Sequence, residues 1–456
     1  MHPPSDPSRP HARRPQDPFA ADEEPEEILP AVAAAPPPSR PARSRTPLET
    51  VLLASTAALL AAVAWPIAFG QAPASPVAPA SPNAPTPALQ AIDTVQPASP
   101  APATPGADVV QGPSIQIALL LDTSSSMSGL IDQARSQLWS VVNALDSATL
   151  HGERPTIEIA LYEYGNSDLH FDEGFIRQVS PFTAELDLVS EKLFELQTTG
   201  GSEHAGQAIA RSIDELQWRG EGLRVVYIAG NEEFDQGPVP WRQAIERARG
   251  KGIVVNAVNC TQGTPDRGWT EAASAAGGRF LQIDHNAVEQ HIAAPQDDEL
   301  ARLGEQINAT YVGYGAKGNR GLRNQVAQDS NASRFGSASS VQRAITKSSG
   351  NYVNPSWDLL DAISTKTTTV DEVDRSSLPE ELQGMSGEQL DRWVEDKQEE
   401  RAGLKKTMAK LARERAEFVA ARQSELEGGP ERLDTAIVRS ILEQARDAGF
   451  TIEPTP

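Results

Sequence analysis

Between residues 115 and 292 the chain alternates five short apolar runs with amphipathic segments, and no other feature restricts its fold as tightly. The runs are "IQIALLL" (residues 115–121), "TIEIALYEY" (156–164), "LRVVYIA" (223–229), "GIVVNAV" (252–258) and "RFLQI" (279–283). Being apolar on both faces, they read as strands covered on both sides. The stretches between them, 129–145, 203–218, 239–249 and 269–276, carry helical periodicity. This alternation predicts an α/β fold, a doubly wound and mostly parallel sheet with helices on each face. "DLHFDEGFIRQV" (168–179) fits a short antiparallel edge strand.

The rest of the 456 residues is organised differently. Residues 1–46 are rich in proline, arginine and acids without periodicity, which predicts a disordered cytoplasmic tail. Residues 51–70, "VLLASTAALLAAVAWPIAFG", are uncharged, and about 20 such residues span a hydrocarbon core of roughly 30 Å as a helix. Arg40, Arg43 and Arg45 precede this stretch, so the positive-inside rule predicts a single-pass inner-membrane signal anchor with the bulk of the chain periplasmic. Secretion after cleavage near Ala72, in "FGQAPA", is the alternative. Residues 71–113 form a Pro/Ala/Ser tether reaching on the order of 100 Å. Residues 294–368 read as a helical extension and 369–456 as a further helical region. There Ser386 and Gln389 make a capping box, and the apolar stripe of Leu390, Val394, Leu404 and Met408 is followed by a second amphipathic segment from Leu433. These two segments suit a helical hairpin, or a coiled coil broken between Val394 and Leu404.

Chemistry concentrates in "IALLLDTSSSM", where a strand runs into an acid and hydroxyls. In open α/β sheets, ligands bind beyond the carboxyl ends of strands. Asp122, Ser124 and Ser126 offer hard oxygen donors there, suited to magnesium, manganese or calcium. Capping of the following helix is the competing use of the serines. The formal charge of -22 repels a phosphate backbone, which argues against nucleic acid as a partner. The single cysteine, Cys260, excludes an internal disulfide and reads as a small buried hydrophobe.

"ALLLDTSSSM", the "TTGGS" loop and "YIAGNEEF", in that order, resemble the von Willebrand factor A domain with its metal-ion-dependent adhesion site. The resemblance implies a Mg2+ (or Mn2+ or Ca2+) site formed by Asp122, Ser124, Ser126, Ser202 and Asn231. Ser202 stands where that family has threonine, with Thr198 and Thr199 as neighbouring alternatives. Asn231 replaces the usual aspartate, so Glu203, Glu232 or Glu233 would have to restore the charge. It further implies a protein partner that supplies a carboxylate to the ion, in envelope adhesion or assembly. "YEYGN", "IAGNEEFDQGPV" and "LPEEL" look like a group of exported bacterial A-domain proteins. Two other functions stay open. One is a metal-assisted hydrolase or transferase using Asp122, Glu203, His204 and Asn231, although no nucleophile and base stand in a recognisable triad order. The other is a metal-free structural scaffold. Glu163 is expected to be solvated or hydrogen-bonded, and Trp218, Trp241 and Trp269 to pack in the core.

Overall fold

In the computed structural model the described residues are 112–261, 263–286, 291–423 and 433–453. A six-stranded sheet forms around β1 (Ser114–Asp122). β3 (Thr156–Tyr164) and β5 (Gly222–Gly230) flank it, both parallel, after a two-residue β2 (Ala148–Thr149). β6 (Val254–Asn259) and β7 (Phe280–Gln282) continue the sheet in parallel, while β4 (Ile176–Thr183) closes the other edge antiparallel to β3. The sheet is therefore mixed. The edge strand starts eight residues later than position 168, where the sequence pattern placed it, because 171–173 form a single 3-10 turn ending at Gly174.

Strand side chains alternate between faces, and the two faces carry separate apolar cores. Ile115, Ile117 and Leu121 of β1 enter one core, with Ile157, Ile159 and Leu161 of β3 and Val225 and Tyr227 of β5. Ala118 and Leu120 enter the other, with Tyr162, Tyr164, Val226 and Ile228. The second core is sealed by α3 (Ala205–Glu215), α4 (Trp241–Gly250) and α5 (Arg267–Ala275), including Trp241 and Trp269. The first is covered by α1 (Ser128–Ala144) and α2 (Leu186–Glu195) only in part.

The C-terminal region completes the cover. It comprises α6 (Asp297–Asn308), α7 (Gly318–Arg334), α8 (Ser337–Ser348), the short α9 (Leu359–Ser364) and α10 (Glu380–Gln383), the long α11 (Gly387–Gln423) and α12 (Leu433–Asp447). Ala436, Ile437, Ile441 and Ala445 of α12 join the same core as β1, and Met408 of α11 enters it too. Polar pairs fix the register: Tyr227 Oη lies 2.7 Å from Ser440 Oγ, and Asn256 and Gln444 exchange amide hydrogen bonds of 3.0 and 2.7 Å. A final strand, β8 (Thr451–Ile452), pairs antiparallel with β2. The capping box forms at the head of α11, with Ser386 N–H donating to Gln389 Oε1 at 2.8 Å.

Two buried arginines tie the extension together. Arg343 pairs with Asp187 and Asp329 and lies 4.4 Å from the Trp139 ring centroid. Arg401 of α11 donates to Asp358 Oδ2 at 2.7 Å, Asp361 Oδ1 at 2.9 Å and Thr310 Oγ1 at 3.0 Å.

Among the described residues no helix is long and apolar enough to cross a membrane. The single-pass inner-membrane topology, the periplasmic placement and the membrane contact expected from residues 51–70 thus have no support in the structure. The stretch itself, the tail before it, the tether to residue 111 and the cleavage position near Ala72 lie outside the described residues.

Ile441→Ala should lower stability by roughly 2–5 kcal/mol through the cavity it leaves. Urea denaturation should show the loss in one global transition if α12 is part of the core. Arg401→Met should cost roughly 3–5 kcal/mol, since Asp358 and Asp361 would stay buried without their cation.

Candidate functional site

The carboxyl ends of β1, β3 and β5 meet at a crevice, and Asp122, the last residue of β1, is fully buried beneath it. Its Oδ1 accepts the Ser124 N–H at 2.8 Å, which bends the chain out of the strand. Thr123 then bridges two elements: its N–H donates to Tyr164 O at 2.8 Å, and its carbonyl accepts the Thr199 N–H at 3.0 Å. Glycine makes room for the acid. A Cβ on Gly165 would stand 2.8 Å from Asp122 Oδ1, and one on Gly230 only 2.4 Å from Tyr164 Oη.

The serines do not cap a helix: neither Ser124 ahead of the 3-10 turn nor Met127 ahead of α1 makes a side-chain cap. Ser124 Oγ instead lies 3.4 Å from Ser126 Oγ, and Asn231 Nδ2 donates to Ser126 Oγ at 3.2 Å. Asp122 Oδ2 and Asn231 Oδ1 are buried without a partner. Burial pushes the Asp122 carboxyl up to about 6, against the opposing Ser124 hydrogen bonds and with help from Glu232. Burial, then the charges of Asp122 and Glu232, push Glu203 up to about 7.

The structure thus brings Asp122, Ser124, Ser126 and Asn231 together, with Glu203 and Glu232 close enough to be felt electrostatically. Ser202 and Thr198 make no hydrogen bond to them, and Thr199 Oγ1 donates to Asn166 Oδ1 at 2.5 Å. Glu233 is exposed. Glu163 is buried, taking Arg177 Nε at 2.6 Å and Thr123 Oγ1 at 3.3 Å. His204 packs edge-on to Phe175, and among the described residues no Ser or Cys side chain hydrogen-bonds a His ring. Cys260 is fully buried. Sequence reasoning missed Gly165 and Gly230, whose small size shapes the acid's walls and whose only signal is their place at strand ends.

A doubly wound sheet with a crevice at its strand ends defines a class of α/β domain. Residues 116–293 match the von Willebrand factor type A domain, and the chain is a VWA-domain-containing protein. Solved structures similar to it include an aerotolerance-related membrane protein from Bacteroides fragilis NCTC 9343 carrying multiple mutations to serine, at 15% identity and TM-score 0.27, covering 38% of this chain and 94% of that one. A von Willebrand factor type A protein from Catenulispora acidiphila is 16% identical at TM-score 0.29, covering 38% of this chain and 39% of that one. Proximal thread matrix protein 1 from the mussel byssus is 14% identical at TM-score 0.30, with coverage of 37% and 41%. No curated protein matches the chain.

The adhesion function expected from the family is corrected here. Among the described residues no group of three or more His, Cys, Asp or Glu side chains is arranged to hold a metal ion. Asp122 is the one carboxylate inside the oxygen cluster, Asn231 adds no charge, and Ser126 already accepts an amide proton. A partner carboxylate approaching this crevice would meet Asp122 and Glu203, whose proton affinity burial and the neighbouring charges already raise. Metal-dependent capture of an acidic partner at a membrane is therefore unsupported.

The raised carboxyls have a stability consequence. An acid whose folded pKa exceeds its unfolded value stabilises the fold fully below the unfolded pKa, and that contribution is lost as pH rises through the folded one. Stability should fall between about pH 4 and 7, with Asp122 contributing roughly 2–3 kcal/mol. Asp122→Asn should remove the Asp122 share of that slope and leave the part that Glu203 contributes through burial, in urea titrations run at stepped pH.

Proposed function

We propose that the chain is a metal-free structural scaffold: a VWA domain made rigid by its own C-terminal helices, presenting a fixed surface rather than performing turnover. The observation that carries this reading is the shared core, in which α12 and α11 supply Ile437, Ile441 and Met408 to the sheet face of β1 and β5. A domain whose sheet is sealed in this way has little freedom to shift a terminal helix in response to a ligand. The neutral amide at Asn231, which adds no charge beside Asp122, supports metal independence. A hydrolytic reading has no paired nucleophile and base among the described residues to support it.

The magnesium, manganese or calcium expectation is the direct test. A ligand at a hundredfold excess over its Kd adds about 2.7 kcal/mol to stability. Melting curves of the full chain should therefore superimpose with EDTA, magnesium or manganese, and calorimetry should show no binding heat. Heat that disappears in Asp122→Ala would sink the scaffold reading.

A further inference from the structure

A second cleft, distant in sequence from the Asp122 crevice, opens where α2 of the VWA domain faces α7 and the turn before α9, with about 150 Å³ of free volume. We propose that it binds a small zwitterion of the α-amino-acid class.

One wall is cationic. α7 begins after Lys317 with no side-chain cap and no acid in its first turn; the Gly318 N–H donates to Gly315 O at 3.2 Å, and the N–H groups that follow it in that turn carry partial positive charge. Lys317 and Arg320 flank that terminus and both line the cleft. Lys317 makes no ion pair among the described residues, and Arg320 reaches Glu191 only at 3.5 Å. Uncapped N–H groups beside two cations form a seat for a carboxylate.

The decisive residue is Asn354, which lines the same cleft, is 1% exposed, and has no partner for its Nδ2. Its backbone is anchored: the N–H donates to Asp361 Oδ2 at 2.8 Å, and the carbonyl accepts the Asp358 N–H at 2.9 Å. An amide held this firmly with its donor unmet is rare in native structures, and a carboxylate guest would satisfy it.

The opposite wall is anionic. Glu185 and Glu191 of the α2 side line it, Glu185 accepting only Ser356 Oγ at 2.6 Å. Asp187 is also present, but its charge is taken up by Arg343 and its Oδ2 accepts Tyr352 Oη at 2.6 Å. Lys317 and Arg320 therefore face Glu185 and Glu191 across the space, joined only by the long Arg320–Glu191 contact of 3.5 Å. A site with no net charge and segregated signs prefers a guest carrying both signs over a simple anion or cation. Trp357 closes the floor, with α7 pressed onto it so closely that a Cβ on Gly321 would fall 2.3 Å from the indole. The guest must be compact, as free amino acids are.

The test uses the full chain with individual free amino acids, and with acetate and methylammonium as single-charge controls, read by melting temperature and calorimetry. At least one amino acid should stabilise the protein with one-site binding, and neither control should do so at the same concentration. Lys317→Glu and Arg320→Glu, both at exposed positions, should weaken that binding about tenfold or more. Asn354→Leu should do the same, and if it fails to fold the two surface variants still decide the question. The proposal is overturned if no amino acid binds, if acetate stabilises as well as the amino acid, or if affinity survives both charge reversals. Asp122→Ala should leave the binding unchanged, which separates this site from the crevice.

Discussion

A central strand hydrogen-bonded on both edges and apolar on both faces has to be covered twice, and every other part of this structure answers to that demand. β1 pairs with β3 and β5 along its whole length, so nearly all of its side chains are removed from water. Helices α3, α4 and α5 satisfy one face from within the VWA domain. The other face needs α12, whose Ser440 meets Tyr227 across 213 residues of chain. The extension is thus not an appendage to a finished domain but a part of its core, and hydrophobic burial of that face is what holds it in place.

Using distant chain segments as a core cover raises the problem of placing them uniquely. Apolar contact alone is non-directional, and α12 could slide or rotate on the sheet with little loss. The buried amide exchange between Asn256 and Gln444 removes that freedom, because a shifted helix would leave two amides unpaired. Arg401 and Arg343 do the same for α11 and for the contact of α8 with α2. Replacing such pairs with well-packed hydrophobes could preserve stability. The value of these arginines lies in specifying one arrangement, and each engages two carboxylates at once.

The sheet was legible because its strands are continuous apolar runs, and the Asp122 cluster because acid and hydroxyls follow one of those runs directly. Less was legible where meaning depends on partners. The edge strand was placed too early because 168–175 alternates like a strand yet contains Phe175 at φ 58 after Gly174 at φ 72, a turn that polarity patterns do not reveal. Amphipathicity marked α12 as a helix needing cover without naming the surface that provides it. Arg343 and Arg401 look like surface charges in sequence, since nothing local distinguishes a buried cation from a solvated one. The adhesion function followed from the motif's residue types. Their surroundings changed it, because Asn231 adds no charge and burial, with the neighbouring carboxylates second, raises the proton affinity of Asp122 and Glu203.

That crevice works against the fold that contains it. An ordinary core position occupied by Asp122 would favour an apolar residue, and the chain instead keeps a carboxyl there with one oxygen unpaired. Gly165 and Gly230 give up side-chain packing to leave it space. Such a cost is tolerable only if stability is gained elsewhere, and the apolar area that α11 and α12 bury on one face of the same strands is a source of it. The extension and the crevice are then two halves of one arrangement: the first supplies the stability that allows the second to persist, and both depend on β1 being sealed from either side.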